Sequence, residues 1–175
     1  MIKTGDQHLE QLRDGRTVYI GDEKIDDVTC HPAFEKAAKT VAKLYDIKHE
    51  NKYKNDLSYE EDGELFSTWF LQAKNKSDLR RRSKAHKIIA DQTSGMMGRS
   101  MDHVASFVTG MSTNPDIFDS GKFKFKKNLI SYYNHIKTND IFASYAVVPP
   151  QAARNPEFYQ KQNLSLIHIS EPTRR

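Results

Sequence analysis

Residues 98–111 read GRSMDHVASFVTGM and predict a short amphipathic helix with a cation and an imidazole at its start. Ser100 is a good helix-capping residue, and Asp102 then falls in the first turn, where a carboxylate interacts favourably with the helix dipole. With about 3.6 residues per turn, the predicted apolar face consists of Met101, Val104, Val108 and Met111, with Phe107 at its edge. The opposite face is small and polar and consists of His103, Ser106 and Gly110.

Arg99 and His103 are the candidate functional residues of this predicted helix, because both lie at its start. The small polar face is consistent with the border of a ligand cavity, and also with the close approach of another backbone. The residues alone therefore leave two interpretations open. One is a functional site, and the other is an ordinary packed helix with a solvated histidine and arginine.

A second informative segment, SYAVVPPQAARNPEFY, covers residues 144–159. The stretch from Ile141 to Val148 is rich in β-branched and aromatic residues and predicts a strand that ends at Pro149. Tyr145 lies within this strand, where an edge aromatic is an ordinary structural role. The residues Gln151 and Arg154 follow the turn and, by themselves, predict only an exposed loop.

Together these two segments closely resemble the 4-hydroxyphenylacetate 3-monooxygenase family, the oxygenase components of two-component flavin hydroxylases. The resemblance extends from Met1 to about Asn163 and includes LRDGR at residues 12–16 and HPAF at residues 31–34. It implies an acyl-CoA dehydrogenase-like fold, which holds flavin between a β-domain and helices. The expected fold class is therefore mainly α with minor β, an N-terminal helical domain that enters the β-domain.

The resemblance also assigns roles to individual residues. It implies that Arg99 and His103 line a phenol pocket, that Tyr145 contacts both substrate and flavin, and that Gln151 and Arg154 contact the flavin. The family often has tyrosine at the position of His103 and histidine at that of Tyr145, so this chain has the reciprocal arrangement. The family also usually has proline at the position of Met101, a departure that affects the helix start more than the chemistry.

The implied activity is a monooxygenase reaction that hydroxylates a phenol, such as 4-hydroxyphenylacetate, next to its OH group. Reduced FAD would come from a separate flavin reductase, dioxygen would be the second substrate, and the full-length enzyme would be a homotetramer. A free phenol has a pKa of about 10, and a nearby cation such as Arg99 favours the more nucleophilic phenolate. His103 is suited to accept the phenol proton, because imidazoles ordinarily titrate near neutrality.

The relatives are longer, so we expect the chain to be a fragment that is inactive alone. Residues 1–138 are the predicted N-terminal helical domain, and residues 139–163 are the predicted start of a truncated β-domain. The remaining residues, 164–175, read LSLIHISEPTRR and resemble a translated sequencing adapter, so we expect a non-native tail. An inactive truncated chain is thus one alternative function.

Composition is consistent with a cytoplasmic globular protein. The 175 residues have a mean hydropathy of −0.75, with neither a membrane-length apolar run nor an apolar signal-peptide core. The single cysteine, Cys30, excludes an intrachain disulfide and is predicted to be a buried thiol in a reducing compartment. A net charge of +4 is too small to argue for nucleic acid.

A basic helix provides the remaining alternative, a nucleic-acid-binding module. Ser77 is predicted to cap a helix over residues 78–93, one face of which carries Arg80, Arg81, Lys84 and Lys87. No aromatic residues interleave with these cations, which favours a solvated face. His86 on the apolar side predicts a hydrogen-bonded core histidine. We find no Gly-rich phosphate loop and no metal-ligand spacing, and one cysteine cannot build the cluster of the related iron–sulfur dehydratases.

The other predicted elements follow from local signals. Thr4 and Gln7 form a capping-box pattern, and residues 17–25 predict a hairpin. Helices are predicted over residues 32–46 and 123–138, the latter with an apolar face of Phe125, Leu129, Tyr132 and Ile136. Residues 65–71 predict an extended buried segment, and residues 55–63 and 114–121 predict loops.

Overall fold

The computed structural model describes residues 2–95 and 101–144, which form a mainly helical fold with two small hairpins. The helices are α1 (Gly5–Gln11), α2 (Glu35–Asp46), α3 (Lys54–Leu57), α4 (Lys76–Gln92), α5 (Met101–Ser112) and α6 (Lys126–Thr138). Short 3-10 segments cover Ile47–His49, Thr68–Phe70 and Pro115–Asp119. The antiparallel hairpins pair β1 (Val18–Ile20) with β2 (Glu23–Ile25), and β3 (Ser58–Glu61) with β4 (Glu64–Ser67). The predicted fold class, mainly α with minor β, is confirmed.

The chain divides into two compact units, residues 1–143 and residues 144–175. All of the helices and strands given above belong to the first unit. Residues 141–144 are not in a strand, so the predicted strand is wrong over this part, and its remainder lies outside the described residues. Ile141 and Phe142 instead pack against the core of the first unit, and a strand requires a hydrogen-bonded neighbour that they lack among the described residues.

The start of α1 confirms the predicted capping box. The hydroxyl of Thr4 accepts a hydrogen bond from the backbone N–H of Gln7, whose side chain accepts one from the backbone N–H of Thr4. Gly5 then lies directly on α2, where an added Cβ would be 2.6 Å from the carbonyl oxygen of Ala42. Its N–H donates to Asp46 Oδ1 over 2.7 Å. This close approach fixes the N-terminal helix against α2.

The hairpin β3–β4 corrects the prediction of a loop over residues 55–63. Asp62 and Gly63 form its turn with φ angles of +54° and +80°. Positive φ at both central residues is what a type I′ turn requires, and Asp-Gly is a preferred sequence for it. The register pairs Tyr59 with Phe66, and both aromatic side chains enter the core.

Helix boundaries differ from the predicted ones where another residue provides the cap or the first turn is not helical. The side chain of Asn75, not Ser77, caps α4 by accepting a hydrogen bond from the N–H of Asp78 over 3.0 Å. The helix α2 begins at Glu35 instead of Pro32, because the preceding residues form turns that hydrogen-bond to the carbonyl of His31. Cys30 is exposed, so the prediction of a buried thiol is wrong.

The core lies between the second hairpin and helices α2, α4, α5 and α6. Its largest fully buried apolar side chains are Trp69, Tyr45, Phe70, Leu44, Ile47, Leu57, Ile89, Met101 and Ile136. The predicted faces of two helices are rotated. In α6 the buried aromatic is Tyr133, whose hydroxyl donates to Phe70 O over 2.7 Å, whereas Tyr132 and Phe125 are exposed. A buried Tyr hydroxyl needs an acceptor, and on this helix Tyr133 meets one in the carbonyl of Phe70.

A buried ion pair lies beside this core. The ammonium of Lys48 binds the carboxylate of Asp140, and Ser67 donates to the same carboxylate over 2.6 Å. Lys48 also lies 4.1 Å from the ring centroid of Tyr45, whose hydroxyl donates to the carbonyl of Asp140 over 2.9 Å. The backbone N–H of Lys3 adds a further bond to Asp140 over 3.0 Å. Lys3, Lys48 and Ser67, which are far apart in the sequence, therefore all bind the carboxylate of Asp140.

Candidate active site at the first turn of helix α5

Five site residues are predicted from the sequence, and the structure describes one of them. His103 lies in the first turn of α5, as predicted. Arg99, Tyr145, Gln151 and Arg154 lie outside the described residues, so their roles stay predictions.

Buried contacts anchor α5 over its whole length. Met101 and Ala105 are fully buried in the core. One turn further, the hydroxyl of Thr109 donates to the carbonyl of Trp69 over 3.1 Å and to that of Ala105 over 2.7 Å. Near the end, the side-chain amide of Gln72 donates to Ser112 Oγ over 2.9 Å. A helix held at three levels presents its outer face in a fixed orientation.

The outer face of α5 corrects the predicted apolar face. Phe107 and Met111 are 54% and 42% exposed, whereas Ala105 and Thr109 are buried in their place. His103, Phe107 and Met111 follow one another at intervals of four residues, so they share one side of the helix. The His103 and Phe107 rings meet edge to face, with centroids 5.1 Å apart and planes at 90°. A Cβ added at Gly110 would meet no atom within 4 Å. We call these four residues, His103, Phe107, Gly110 and Met111, the outer stripe.

A polar contact between α4 and α5 was not foreseen from the sequence. His86 Nε2 lies 3.2 Å from Ser106 Oγ and 3.7 Å from Asp102 Oδ2. Burial lowers the pKa of His86, and the nearby Arg82 and His103 act in the same direction, against the carboxylate of Asp102. The prediction of a hydrogen-bonded histidine is confirmed, although its side chain is 39% exposed and not a core residue.

Ser106, His86 and Asp102 do not form a nucleophilic triad. In such a triad the serine hydroxyl and the carboxylate lie at opposite nitrogens of the imidazole, so that one orients the ring while the other exchanges a proton. Here both groups lie on the side of Nε2. The arrangement therefore links α4 to α5 and does not activate Ser106 as a nucleophile.

Three of the four cations on the basic face of α4 have partners within the chain. The guanidinium of Arg81 donates to the carbonyl of Asn55 over 2.9 Å and to that of Ser58. Lys84 and Lys87 form ion pairs with Asp56 and Asp91 over 2.9 Å and 2.5 Å. Cations that are already paired release few counterions on meeting a phosphate backbone, so this face does not favour nucleic-acid binding.

A cavity of about 330 Å³ lies elsewhere, beside the first hairpin. Two of its lining cations are also paired, since Arg13 binds Glu10 and Asp27, and Arg16 binds Asp14. Within residues 2–95 and 101–144, no cluster of three His, Cys, Asp or Glu side chains could hold a metal ion. No helix in the described ranges has both the length and the apolar character needed to cross a bilayer.

Solved structures define the class of this fold. A crystal structure of the oxygenase component of 4-hydroxyphenylacetate 3-monooxygenase, complexed with FAD and 4-hydroxyphenylacetate, matches with a TM-score of 0.79 and 36% identity over 89% of this chain and 32% of that chain. The described unit is thus the N-terminal helical part of an acyl-CoA dehydrogenase-like fold. The family model described as "4-hydroxyphenylacetate 3-hydroxylase N terminal" matches residues 4–175, and the chain belongs to this family.

Two curated relatives show how much of a family member the chain represents. The oxygenase component of 4-hydroxyphenylacetate 3-monooxygenase from Thermus thermophilus is 38% identical over 88% of this chain and 31% of its own length. The oxygenase component of 4-nitrophenol 2-monooxygenase from a Rhodococcus species is 32% identical over 97% of this chain and 32% of its own length. The chain therefore spans about a third of the length of these relatives.

Proposed function

We propose that this chain is the N-terminal part of the oxygenase component of a two-component phenol hydroxylase. The full-length enzyme would use reduced FAD and dioxygen to hydroxylate a phenol, such as 4-hydroxyphenylacetate, next to its OH group. The observation that carries the proposal is the position of His103, which lies on the outer stripe of a helix whose other side is anchored in the core. The matched crystal structure with FAD and 4-hydroxyphenylacetate supports the choice of cofactor and substrate class.

The proposed catalytic residues are Arg99, His103 and Tyr145. A phenol with a pKa of about 10 is mostly protonated at neutral pH and is then a weak nucleophile. The cation of Arg99 stabilises the phenolate, and a ring nitrogen of His103 accepts the phenol proton. Tyr145 orients the substrate beside the flavin.

The donor set of the second segment fits a flavin dinucleotide. Tyr145, Gln151 and Arg154 provide a phenol, an amide and a guanidinium, which suit the ring carbonyls and the phosphate groups of FAD. When bound, reduced FAD supplies the electrons that allow one oxygen atom of dioxygen to enter the phenol while the other leaves as water.

We propose the domain organisation that the sequence predicts, together with an oligomeric state, a partner protein and a location for the full-length enzyme. Residues 1–138 form the N-terminal helical domain and residues 139–163 begin the β-domain. Residues 164–175 are proposed to be non-native, although the family model extends over them. The full-length enzyme would be a homotetramer that receives reduced FAD from a separate flavin reductase. A single cysteine agrees with a cytoplasmic location.

The reaction can be tested directly with isotopically labelled oxygen. The full-length protein, supplied with chemically reduced FAD, 4-hydroxyphenylacetate and ¹⁸O₂, should yield a catechol that contains one ¹⁸O atom next to the original OH. Mass spectrometry of the product measures this. A catechol that takes its new oxygen from water, or flavin oxidation without any hydroxylated phenol, would reject the proposed reaction.

This chain by itself should bind FAD weakly or not at all, and should be inactive. The three proposed flavin contacts lie at its C-terminal end, whereas the relatives are about three times as long and provide further protein around the cofactor. Fluorescence titration of the 175-residue chain with FAD measures the affinity. A tight complex with one FAD per chain would show that the flavin site lies within this part of the protein.

A further inference from the structure

The contact between His86 and α5 has a geometry that bears on His103. The partners of His86, namely Asp102 and Ser106, are four residues apart and therefore lie one above the other on the same side of α5. His103 follows Asp102 directly and precedes Ser106 by less than one turn. One imidazole edge thus contacts α5 at the residue before the candidate catalytic residue and at the residue three positions after it.

The contact of His86 with Asp102 and Ser106 restrains the orientation of α5. The carboxylate of Asp102 is 11% exposed, so its interaction with the imidazole is little screened by water. Met101 and Ala105 bury the first turns of α5 in the core, and the hydrogen bonds of Thr109 and Ser112 orient its later turns. The hydrogen bond between His86 and Ser106 adds a directional contact close to the first turn, since hydrogen bonds weaken steeply away from linear geometry.

We propose that His86 is a positioning residue, which fixes the first turn of α5 and thereby the imidazole of His103 relative to the bound phenol. This inference rests on the proposed function, because it assumes that His103 accepts the phenol proton. His86 itself touches neither substrate nor cofactor. Its effect passes through Ser106 and Asp102 to the backbone of α5.

The test compares substitutions of His86 in the full-length protein. His86→Leu removes the polar contact, whereas His86→Gln keeps an amide that can donate to both Ser106 and Asp102. Because a misplacement of about 1 Å in an active site can cost about 10²-fold, we expect His86→Leu to lower kcat for hydroxylation by about 10–100-fold. His86→Gln should restore most of this loss. The KM for reduced FAD should stay unchanged in both variants.

His135→Leu is the matched control, since His135 is an exposed histidine on α6 whose ring lies 3.4 Å from Asn139 at the end of its own helix. If His86→Leu hydroxylates as well as His135→Leu while His103→Asn is impaired, His86 has no positioning role and the proposed function stands. If His86→Gln is as impaired as His86→Leu, the polar contact is not what positions α5, and the inference is overturned. If His103→Asn is fully active, the proposed role of His103 fails, and the inference fails with it.

Discussion

Replacing Lys48 by Met should lower the free energy of unfolding of this chain by about 3–5 kcal/mol, the usual cost of removing one partner from a buried ion pair. The side chains of Lys48 and Asp140 are 0% and 2% exposed. Without the ammonium, the partners left to the carboxylate of Asp140 among the described residues are the hydroxyl of Ser67 and the N–H of Lys3. Urea denaturation followed by circular dichroism measures the change.

Two further variants make this test specific. Lys39→Met removes an exposed ion pair with Glu35 by the same substitution and should leave stability nearly unchanged. The double variant Lys48→Met with Asp140→Asn leaves no buried charge, so it should be more stable than Lys48→Met alone. Asparagine also tolerates the positive φ of +44° at Asp140. A loss for Lys48→Met no larger than that for Lys39→Met would contradict the account of the buried pair.

The pH dependence of this effect has a defined sign. Burial alone would raise the pKa of Asp140, but the ammonium of Lys48 and the hydrogen bonds from Lys3 and Ser67 hold it below its usual value of 3.8. The pair therefore stabilises the wild type above that value, and the contribution is lost as the pH falls through the lowered pKa. In Lys48→Met the carboxylate becomes protonated at higher pH and is then no longer an unpaired charge. The stability difference between the two proteins should consequently shrink as the solution is acidified towards pH 4.

The second large effect is expected at the candidate active site in the full-length enzyme. Arg99→Met removes the cation that favours phenolate while it keeps much of the side-chain length, and should cost about 2–4 kcal/mol in the hydroxylation step. His103→Asn removes the proton acceptor while it keeps a polar side chain, and should lower the rate of hydroxylation by about 10²–10⁴-fold. Stopped-flow spectra of the flavin and chromatography of the products separate flavin oxidation from hydroxylation.

Local signals predicted the elements of this fold better than the faces they bury. The capping box at Thr4 and the first hairpin each follow from residues that are close in sequence, and both are confirmed; α5 also forms where it is predicted. The burial of Ala105 in place of Phe107 depends on the close approach of the Thr68–Phe70 segment, where Thr109 finds its acceptor. No periodicity within one helix contains that information.

Sequence patterns could not predict the polar contacts between residues that are far apart in the chain. Lys48 and Asp140 are 92 positions apart, and each residue alone is most simply predicted to be on the surface. His86 and Ser106 belong to different helices, and the sequence predicted only that this histidine would be hydrogen-bonded. Of the candidate site, the residues themselves indicated the place of His103 at a helix start. The roles of Arg99, Tyr145, Gln151 and Arg154 depend on the family resemblance.

The most direct test of the central claim is the amount of hydroxylated phenol formed per reduced FAD oxidised, compared between the full-length wild type and His103→Asn. If His103 accepts the phenol proton, the wild type should convert most of the oxidised flavin into catechol. The variant should oxidise the flavin at a similar rate but release hydrogen peroxide in place of most of the catechol. An equal catechol yield from the two proteins would contradict the account, and would make His103 a structural residue on an ordinary packed helix.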